Sequence, residues 1–332
     1  MSSTSPTVAP PRDPGPSPAR RAVAVLLLVP VVVAAALWAF AWPGARTAPR
    51  DLPLGVAGPA AAVEPIARSL EQKEGAFEVH RYGDEAAARA AIEDRTVYGA
   101  VVATPDGPRL LTASAASPVV AGLLREAVAP GAPEGRPVPV TDVVAAPSGD
   151  PRGGVLAATA LPLTFAGIAS GALVTAFKLR RGPAAATLAG AAVLAAVTVT
   201  ALAHDWLNVL TGSWWGEAGA VALTVFAVGA GTAGLAALAG PAGMALSSAL
   251  MVLIGNPFSG AASAPELLPE PAGLIGQWLP PGAGSQLLRS QAYFDGNGSG
   301  GDVLVLCLWA GLGLAALLFA RRRAGEGVPA VA

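Results

Sequence analysis

Six stretches of this chain are apolar, carry no charged residue and approach the ~20 residues that a helix needs to cross a bilayer. They cover residues 22–42, 154–177, 184–203, 218–239, 242–258 and 303–320. Only 13% of all residues are charged, against roughly a quarter in an average soluble domain. The pattern predicts an α-helical polytopic membrane protein with six transmembrane helices, whose first partner is the lipid bilayer.

The charged residues between these stretches are sorted by sign. If the amino terminus is cytoplasmic, the cytoplasmic tails and loops hold nine basic and two acidic residues, a net charge of +7. The other side then holds 12 basic and 20 acidic residues, a net charge of −8. Because Lys and Arg concentrate in cytoplasmic loops, both termini are predicted to be cytoplasmic, in a multi-pass protein of the cell membrane.

The first stretch has an alternative interpretation. Ala39-Phe40-Ala41 resembles the cleavage site of a secretory signal peptide, but the apolar region of such peptides is usually only ~7–15 residues long. The longer stretch at 22–42 favours an uncleaved transmembrane helix. Residues 1–21 are rich in Pro and Ser, which predicts a disordered cytoplasmic tail.

Charged residues return over residues 43–152, where the apolar pattern shortens to the length of strands and amphipathic helices. The predicted strands are 52–57, 77–82, 98–104, 109–113 and 138–144, and the predicted helices are 60–73, 85–94 and 119–128. Asp84 and Ser117 precede the second and third helices as typical N-caps. Because strands and helices alternate, we expect an extracytoplasmic α/β domain between the first and second spans.

Motifs of known catalytic chemistry are missing from the sequence. Cys307 is the only cysteine, and the chain has no GxxxxGK[ST] phosphate loop, GxSxG elbow or HExxH motif. Residues 229–234 match GxGxxG but lie inside an apolar stretch, so we interpret these glycines, with Gly167 and Gly171, as helix-packing surface. We expect no enzyme activity, no cofactor, no metal site and no nucleic-acid partner. The lack of charged side chains within the spans also disfavours ion-coupled transport.

The connection between the fifth and sixth stretches, residues 256–301, contains many prolines yet remains apolar between them. A water-exposed loop is ordinarily more polar, so we expect short helices that lie at the outer membrane face or dip into it. A rigid cap without a direct role is the alternative interpretation.

Three motifs stand out in this segment, "NPFSGA" at 256–261, "PELLP" at 265–269 and "LPPGAGSQLLR" at 279–289. They resemble motifs of the permeases of type-2 ABC exporters and of the related phage-infection-protein-like proteins of Gram-positive bacteria. The stretch "YGDEAAARAAIEDRTVYGAVV" at 82–102 is similar to the outer domain of that family. The layout of one span, an outer domain and five further spans is also similar.

The resemblance implies a permease-like subunit that moves a lipid-like, peptide or polymeric substrate outward, as a homodimer with a separate cytoplasmic ATPase. It also implies an outer gate, in which Glu266 and Arg289 are the charged residues of most interest. The candidate gate residues are Asn256, Pro257, Pro265, Glu266, Pro269, Pro280, Gly282 and Arg289. The candidate contacts of the cytoplasmic partner are Lys178, Arg180 and Arg181. Their loop is shorter than the coupling segment of the exporters, which favours the phage-infection-protein-like branch.

A function of a different class fits the same layout. The outer domain would bind a ligand or partner in the cell envelope, and the spans would only anchor it, without transport.

Overall fold

The computed structural model describes residues 17–129 and 137–319. Most of the predicted amino-terminal tail, a Pro/Gly linker at 130–136 and the three arginines at 321–323 lie outside the described residues.

The first helix, α1 (Pro18–Ala45), is longer than the predicted span 22–42. Its N-cap, Ser17, accepts a hydrogen bond from a backbone N–H of the first turn, so the helix includes the last four residues of the predicted disordered tail 1–21. Most of α1 is exposed apolar surface. Its carboxyl end contacts the bundle, where the Trp42 ring lies 6.1 Å from that of Phe258.

A small α/β domain follows α1, and we call residues 46–152 the sheet domain. Its strands are β1 (Leu52–Ala57), β2 (Phe77–Tyr82), β3 (Gly99–Thr104), β4 (Gly107–Thr112) and β5 (Val140–Asp142). Its helices are α2 (Ala60–Glu71), α3 (Glu85–Glu93) and α4 (Pro118–Val128). The strand order is β2-β1-β3-β4-β5, and every neighbouring pair is parallel except β3 and β4. Strands and helices follow one another in the order that the sequence predicts.

The sheet is covered on both faces. Helices α2 and α4 pack on the face that holds Leu54 and Val56, and α3 packs on the face that holds Ala100 and Leu111. Asp84 and Ser117 cap α3 and α4 by accepting backbone N–H groups at 2.8 and 3.2 Å. These caps and the alternation of apolar residues along the strands account for the local structure of the domain.

The rest of the chain is a helical bundle. Its helices are α5 (Gly154–Ala176), α6 (Arg181–Thr200), α7 (Trp214–Ala239), α8 (Pro241–Ala249), α9 (Ala272–Gln277), α10 (Pro280–Tyr293) and α11 (Gly300–Phe319). Two of them continue in π-helical turns, α6 to Trp206 and α8 to Gly255. Among the described residues, five helices are long and apolar enough to cross a membrane, namely α1, α5, extended α6, α7 and α11. The chain therefore has the helices of a multi-pass membrane protein.

The fifth predicted span, 242–258, is shorter in the structure, because the helix that begins as α8 ends at Gly255. Fifteen helical residues cover about 22 Å, less than the ~30 Å of a hydrocarbon core. Asn256, the C-cap of this helix, donates a hydrogen bond from Nδ2 to Thr164 Oγ1 at 3.0 Å. Thr164 lies ten residues inside α5, so α8 ends about 15 Å below the sheet-domain end of that helix.

Helix α7 is the centre of the bundle and packs against α5, α6, α8, α10 and α11. Glycines allow these helices to approach closely. A Cβ atom added at Gly171 would lie 2.6 Å from the Gly229 carbonyl oxygen, and one added at Gly234 would lie 2.5 Å from that of Gly313. Both GxGxxG glycines named here lie at helix crossings, where small residues let backbones touch.

The predicted span 218–239 carries no charged residue, but the helix that contains it includes an acidic one. This helix begins at Trp214, before the predicted 218, and so includes Glu217, which is fully buried. The Glu217 carboxylate accepts a hydrogen bond from Gly212 N at 2.8 Å and lies 2.8 Å from His204 Nδ1. This pair joins the end of extended α6 to the start of α7, which is a structural role.

Candidate functional site

Helices α9 and α10 form a hairpin that enters the bundle, and we call residues 272–293 the helical hairpin. Near its turn, the Trp278 carbonyl oxygen accepts a hydrogen bond from Trp309 Nε1 at 2.9 Å. Trp309 is nine residues from the start of α11, so the turn lies about 14 Å below the sheet-domain end of the bundle. The proline-rich segment thus dips between the helices, which is one of the two interpretations that its composition allowed.

Glycines hold the hairpin tightly in place. A Cβ atom at Gly276 would collide with the Phe258 carbonyl oxygen, and one at Gly282 would collide with the Gly276 carbonyl oxygen. Pro280 occupies the first turn of α10, where its missing N–H costs no hydrogen bond. These close contacts leave no room for side chains between the hairpin and the loop that follows α8.

The segment before the hairpin packs against the sheet domain. Ala264 and Leu267 are fully buried in the same apolar cluster as Leu54. The backbone N–H of Arg50 donates to the Glu266 carbonyl oxygen at 2.9 Å, and its Nη1 donates to the Leu267 carbonyl oxygen at 2.9 Å. The chain from 264 to 268 therefore links the hairpin directly to the sheet domain.

A second link is polar and involves α10. Arg95, just after α3, donates from Nη2 to Gln286 Oε1 at 2.8 Å. Arg289 donates from Nη1 to the same oxygen at 3.1 Å and from Nη2 to the Ala261 carbonyl oxygen at 2.7 Å. Arg289 is only 4% exposed. Two guanidinium groups thus share one amide oxygen between the hairpin and the sheet domain.

Arg95 holds this position at a cost in backbone conformation. Its φ of 59° lies in the left-handed region, which glycine usually occupies after a helix. The guanidinium also lies 5.4 Å from the centre of the Phe294 ring, a cation–π contact. These contacts with the hairpin account for an arginine at a strained position.

The acidic groups of the junction come from other elements. Glu266 Oε2 accepts a hydrogen bond from the Tyr98 hydroxyl at 2.8 Å. Burial, and then the charge of Glu266, raise the pKa of Tyr98 well above its usual value, so the hydroxyl stays a donor. Asp302, in the first turn of α11, lies beside the same cavity. Among residues 17–129 and 137–319, neither carboxylate has a basic group within ion-pair distance.

These groups line a cavity of about 220 Å³, which we call the junction cavity. It is lined by Pro53, Arg95, Val97, Tyr98, Ala116, Pro265, Glu266, Gln277, Gln286, Gly298 and Asp302. Two buried polar atoms, Gln277 Oε1 and Gln286 Nε2, have no hydrogen-bond partner in the described part of the chain. No group of three or more His, Cys, Asp or Glu residues in that part is placed to hold a metal ion.

The candidate gate residues divide between this junction and two other places. Glu266 and Arg289 come together at the junction, with Pro265 lining its cavity. Pro280 and Gly282 lie at the hairpin turn, while Pro269 accepts the N–H of the first hairpin residue, Ala272. Asn256 and Pro257 line a separate cleft of about 380 Å³ at the carboxyl end of α1.

The three candidate contacts of a cytoplasmic partner lie far from the junction, the hairpin turn and the cleft. Lys178, Arg180 and Arg181 form the exposed turn between α5 and α6, at the end of the bundle opposite the sheet domain. The structure therefore does not join the two sets of candidate residues in one site.

Sequence reasoning missed five polar residues of the junction. They are Arg95, Tyr98, Gln277, Gln286 and Asp302. One signal was available, because Gln286 and Arg289 are three residues apart on a helix whose other residues, except Gln291 and Tyr293, are small or apolar. Their partner Arg95 is 191 residues away from Gln286, and no local pattern relates the two.

Comparisons with protein-family models, with curated proteins and with solved structures find no match to this chain.

Proposed function

We propose that this chain is a permease-like membrane subunit that exports a lipid-like, peptide or polymeric substrate, with the helical hairpin as its outer gate. The observation that supports this most is the depth of the hairpin, whose turn meets Trp309 well inside the bundle. The hairpin is bonded to the sheet domain at one end and packed among helices at the other. A movement of the sheet domain would therefore displace the hairpin between α7 and α11.

The proposal includes six membrane crossings with both termini in the cytoplasm. Helix α8 runs back along α7, where Ser247 Oγ lies 2.9 Å from Thr232 Oγ1. The coil 256–263 then continues toward the sheet domain, so helix and coil together complete the fifth crossing. The sorting of charges, +7 against −8, supports this orientation.

This topology predicts a clear labelling result. In a Cys307→Ala background, Asp106→Cys lies in an exposed turn of the sheet domain, and Arg180→Cys lies in the exposed α5–α6 turn. We expect a membrane-impermeant maleimide to label residue 106 in intact cells and residue 180 only after lysis. Labelling of residue 180 in intact cells would contradict the orientation.

The energy source of the proposed export is a separate ATPase, since the chain has no phosphate loop. The exposed Lys178, Arg180 and Arg181 are the proposed contact on the cytoplasmic side. The exposed apolar surface of α1 supports the proposed homodimer, because it leaves room for a second copy in the membrane.

Replacing all three of these basic residues by alanine is expected to abolish export and co-purification of the ATPase. Loss of three exposed positive charges removes the attraction that would hold an acidic partner surface. The measurement is ATP-dependent movement of an NBD-labelled phospholipid in membranes from cells that make the tagged chain, together with a pull-down. Arg125→Ala, an exposed change in the sheet domain, is the control and leaves both signals unchanged.

Unchanged export and pull-down in the triple variant would contradict this contact. If the unmodified chain moves no probe and captures no ATPase, the anchored binding function becomes the better interpretation.

A further inference from the structure

The junction cavity is lined by charged groups of both signs, Arg95 against Glu266 and Asp302, and these form no ion pair with one another in the described part of the chain. The donors come from α10 and from the end of α3, as Gln286 and Arg95. The acceptors come from the turn at 265–267, from α9 and from α11, as Glu266, Gln277 and Asp302. All three charged side chains are partly exposed, so each can meet a charged ligand that enters the cavity.

The orientation of the Gln286 amide is determined by its neighbours. Its oxygen accepts hydrogen bonds from two guanidinium groups, those of Arg95 and Arg289. If the amide were flipped, its NH₂ group would face these two donors and be repelled by them. The NH₂ group is therefore left as a donor beside the cavity. Gln286 is 6% exposed, and Nε2 has no hydrogen-bond partner among the described residues. A buried, unpaired donor of this kind is unfavourable and indicates a missing acceptor.

The Gln277 amide presents the opposite group. Its Nε2 donates to the Ser259 carbonyl oxygen at 3.0 Å, which determines the orientation of the amide. Its Oε1 is buried and has no donor in the described part of the chain. Together with the Glu266 and Asp302 carboxylates, it forms an acceptor group that suits a primary ammonium.

The volume of the cavity shows whether its occupant is a small ligand or a single bridging water. One water needs roughly 10–15 Å³ of such volume. The junction cavity offers about 220 Å³, which is below the usual ~300–1,000 Å³ of drug-sized pockets and suits a small polar molecule.

We infer that the junction cavity binds a small zwitterion, with its oxyanion at Arg95 and Gln286 Nε2 and its ammonium at Glu266, Asp302 and Gln277 Oε1. Phosphoethanolamine has this chemistry, either as the free compound or as the headgroup of a phospholipid. The buried Arg289 adds a second positive charge behind Gln286. The inference does not depend on export, because it uses only the groups of the cavity.

The test is calorimetric titration of the purified full chain in detergent with phosphoethanolamine. We expect saturable binding, about tenfold tighter than that of inorganic phosphate, ethanolamine or phosphocholine, because each of these lacks one set of hydrogen bonds. Phosphocholine is the sharpest comparison, since its quaternary ammonium has no N–H for Gln277 Oε1. Gln286→Leu is expected to weaken binding about tenfold by removing the unpaired donor, while Arg125→Met is without effect.

The two sources of the headgroup are separated in nanodiscs. If phosphatidylethanolamine nanodiscs suppress binding of free phosphoethanolamine and phosphatidylcholine nanodiscs do not, a lipid occupies the cavity. If neither suppresses it, the free compound is the ligand, and either result supports the zwitterion site. Equal affinity for phosphate, equal affinity for phosphocholine, or no saturable binding to the unmodified chain overturns it. The ligand comparison needs no variant and stands even if Gln286→Leu fails to fold.

Discussion

Gly313→Leu is expected to prevent stable folding of the helical bundle. Helices α7 and α11 touch through their backbones at this point. A Cβ atom at residue 313 would lie 2.6 Å from Gly231 N and even closer to the Ala230 carbonyl group. Neither helix can yield easily, since α7 is enclosed by other helices. Overpacking usually costs about 1–3 kcal/mol, and a leucine against backbone atoms belongs at or above the upper end.

The measurement is fluorescence-detected size-exclusion chromatography of the tagged protein in detergent, followed by thermal unfolding. Gly311→Leu is a matched control on the same helix, because a Cβ atom there meets nothing within 4 Å. We expect the control to elute and unfold like the unmodified protein, and Gly313→Leu to aggregate or unfold at a much lower temperature. Similar behaviour of the two variants would show that α7 and α11 do not cross as the structure places them.

Gly276→Val is expected to abolish export while leaving the bundle folded. The added side chain would collide with the Phe258 carbonyl oxygen and push the helical hairpin away from the loop that follows α8. Overpacking costs about 1–3 kcal/mol or more, but here it falls between the six-residue α9 and a loop, which can move apart, whereas at Gly313 two long helices meet. The hairpin would no longer hold its place between α7 and α11, so we expect ATP-dependent movement of the NBD-labelled phospholipid to be lost.

Gly301→Val provides the control for this change. Residue 301 lies at the start of α11, and a Cβ atom there meets nothing within 4 Å, so export is expected to continue. Full export by a monodisperse Gly276→Val protein would remove the hairpin from the proposed gate. If export is lost because the variant aggregates, the size-exclusion profile shows the aggregate and so distinguishes misfolding from a defect of the gate.

The helices and strands follow from local sequence patterns. The predicted span 154–177 and α5 (Gly154–Ala176) begin at the same residue and end one residue apart. Asp150 marks the start of the helix, because its carboxylate accepts the N–H groups of Gly154 and Val155. In the sheet domain, Ser117 and Pro118 similarly mark the start of α4. Hydrophobic periodicity and capping act over a few residues, so a sequence displays them directly.

The largest errors concern elements whose ends depend on distant neighbours. Helix α8 stops at Gly255 rather than 258, where Asn256 finds Thr164 of another helix. Helix α7 extends back to include Glu217, whose charge is acceptable there because His204 and the Gly212 N–H meet it. The sequence pattern indicated neither Thr164 as the partner of Asn256 nor His204 as the partner of Glu217, since each contact joins two different helices.

The sequence by itself determined the class of this protein, its apolar helices, the α/β order of the sheet domain and the proline-rich segment, along with Glu266 and Arg289 as residues to examine. Only the tertiary structure placed Glu266 beside Tyr98, and Arg289 beside the Gln286 amide that Arg95 also contacts, at one junction between the sheet domain and the hairpin. The reason is physical. Apolar length and caps are local properties, whereas the junction is made by contacts between residues 168 and 191 positions apart, whose pairing depends on how the whole bundle packs.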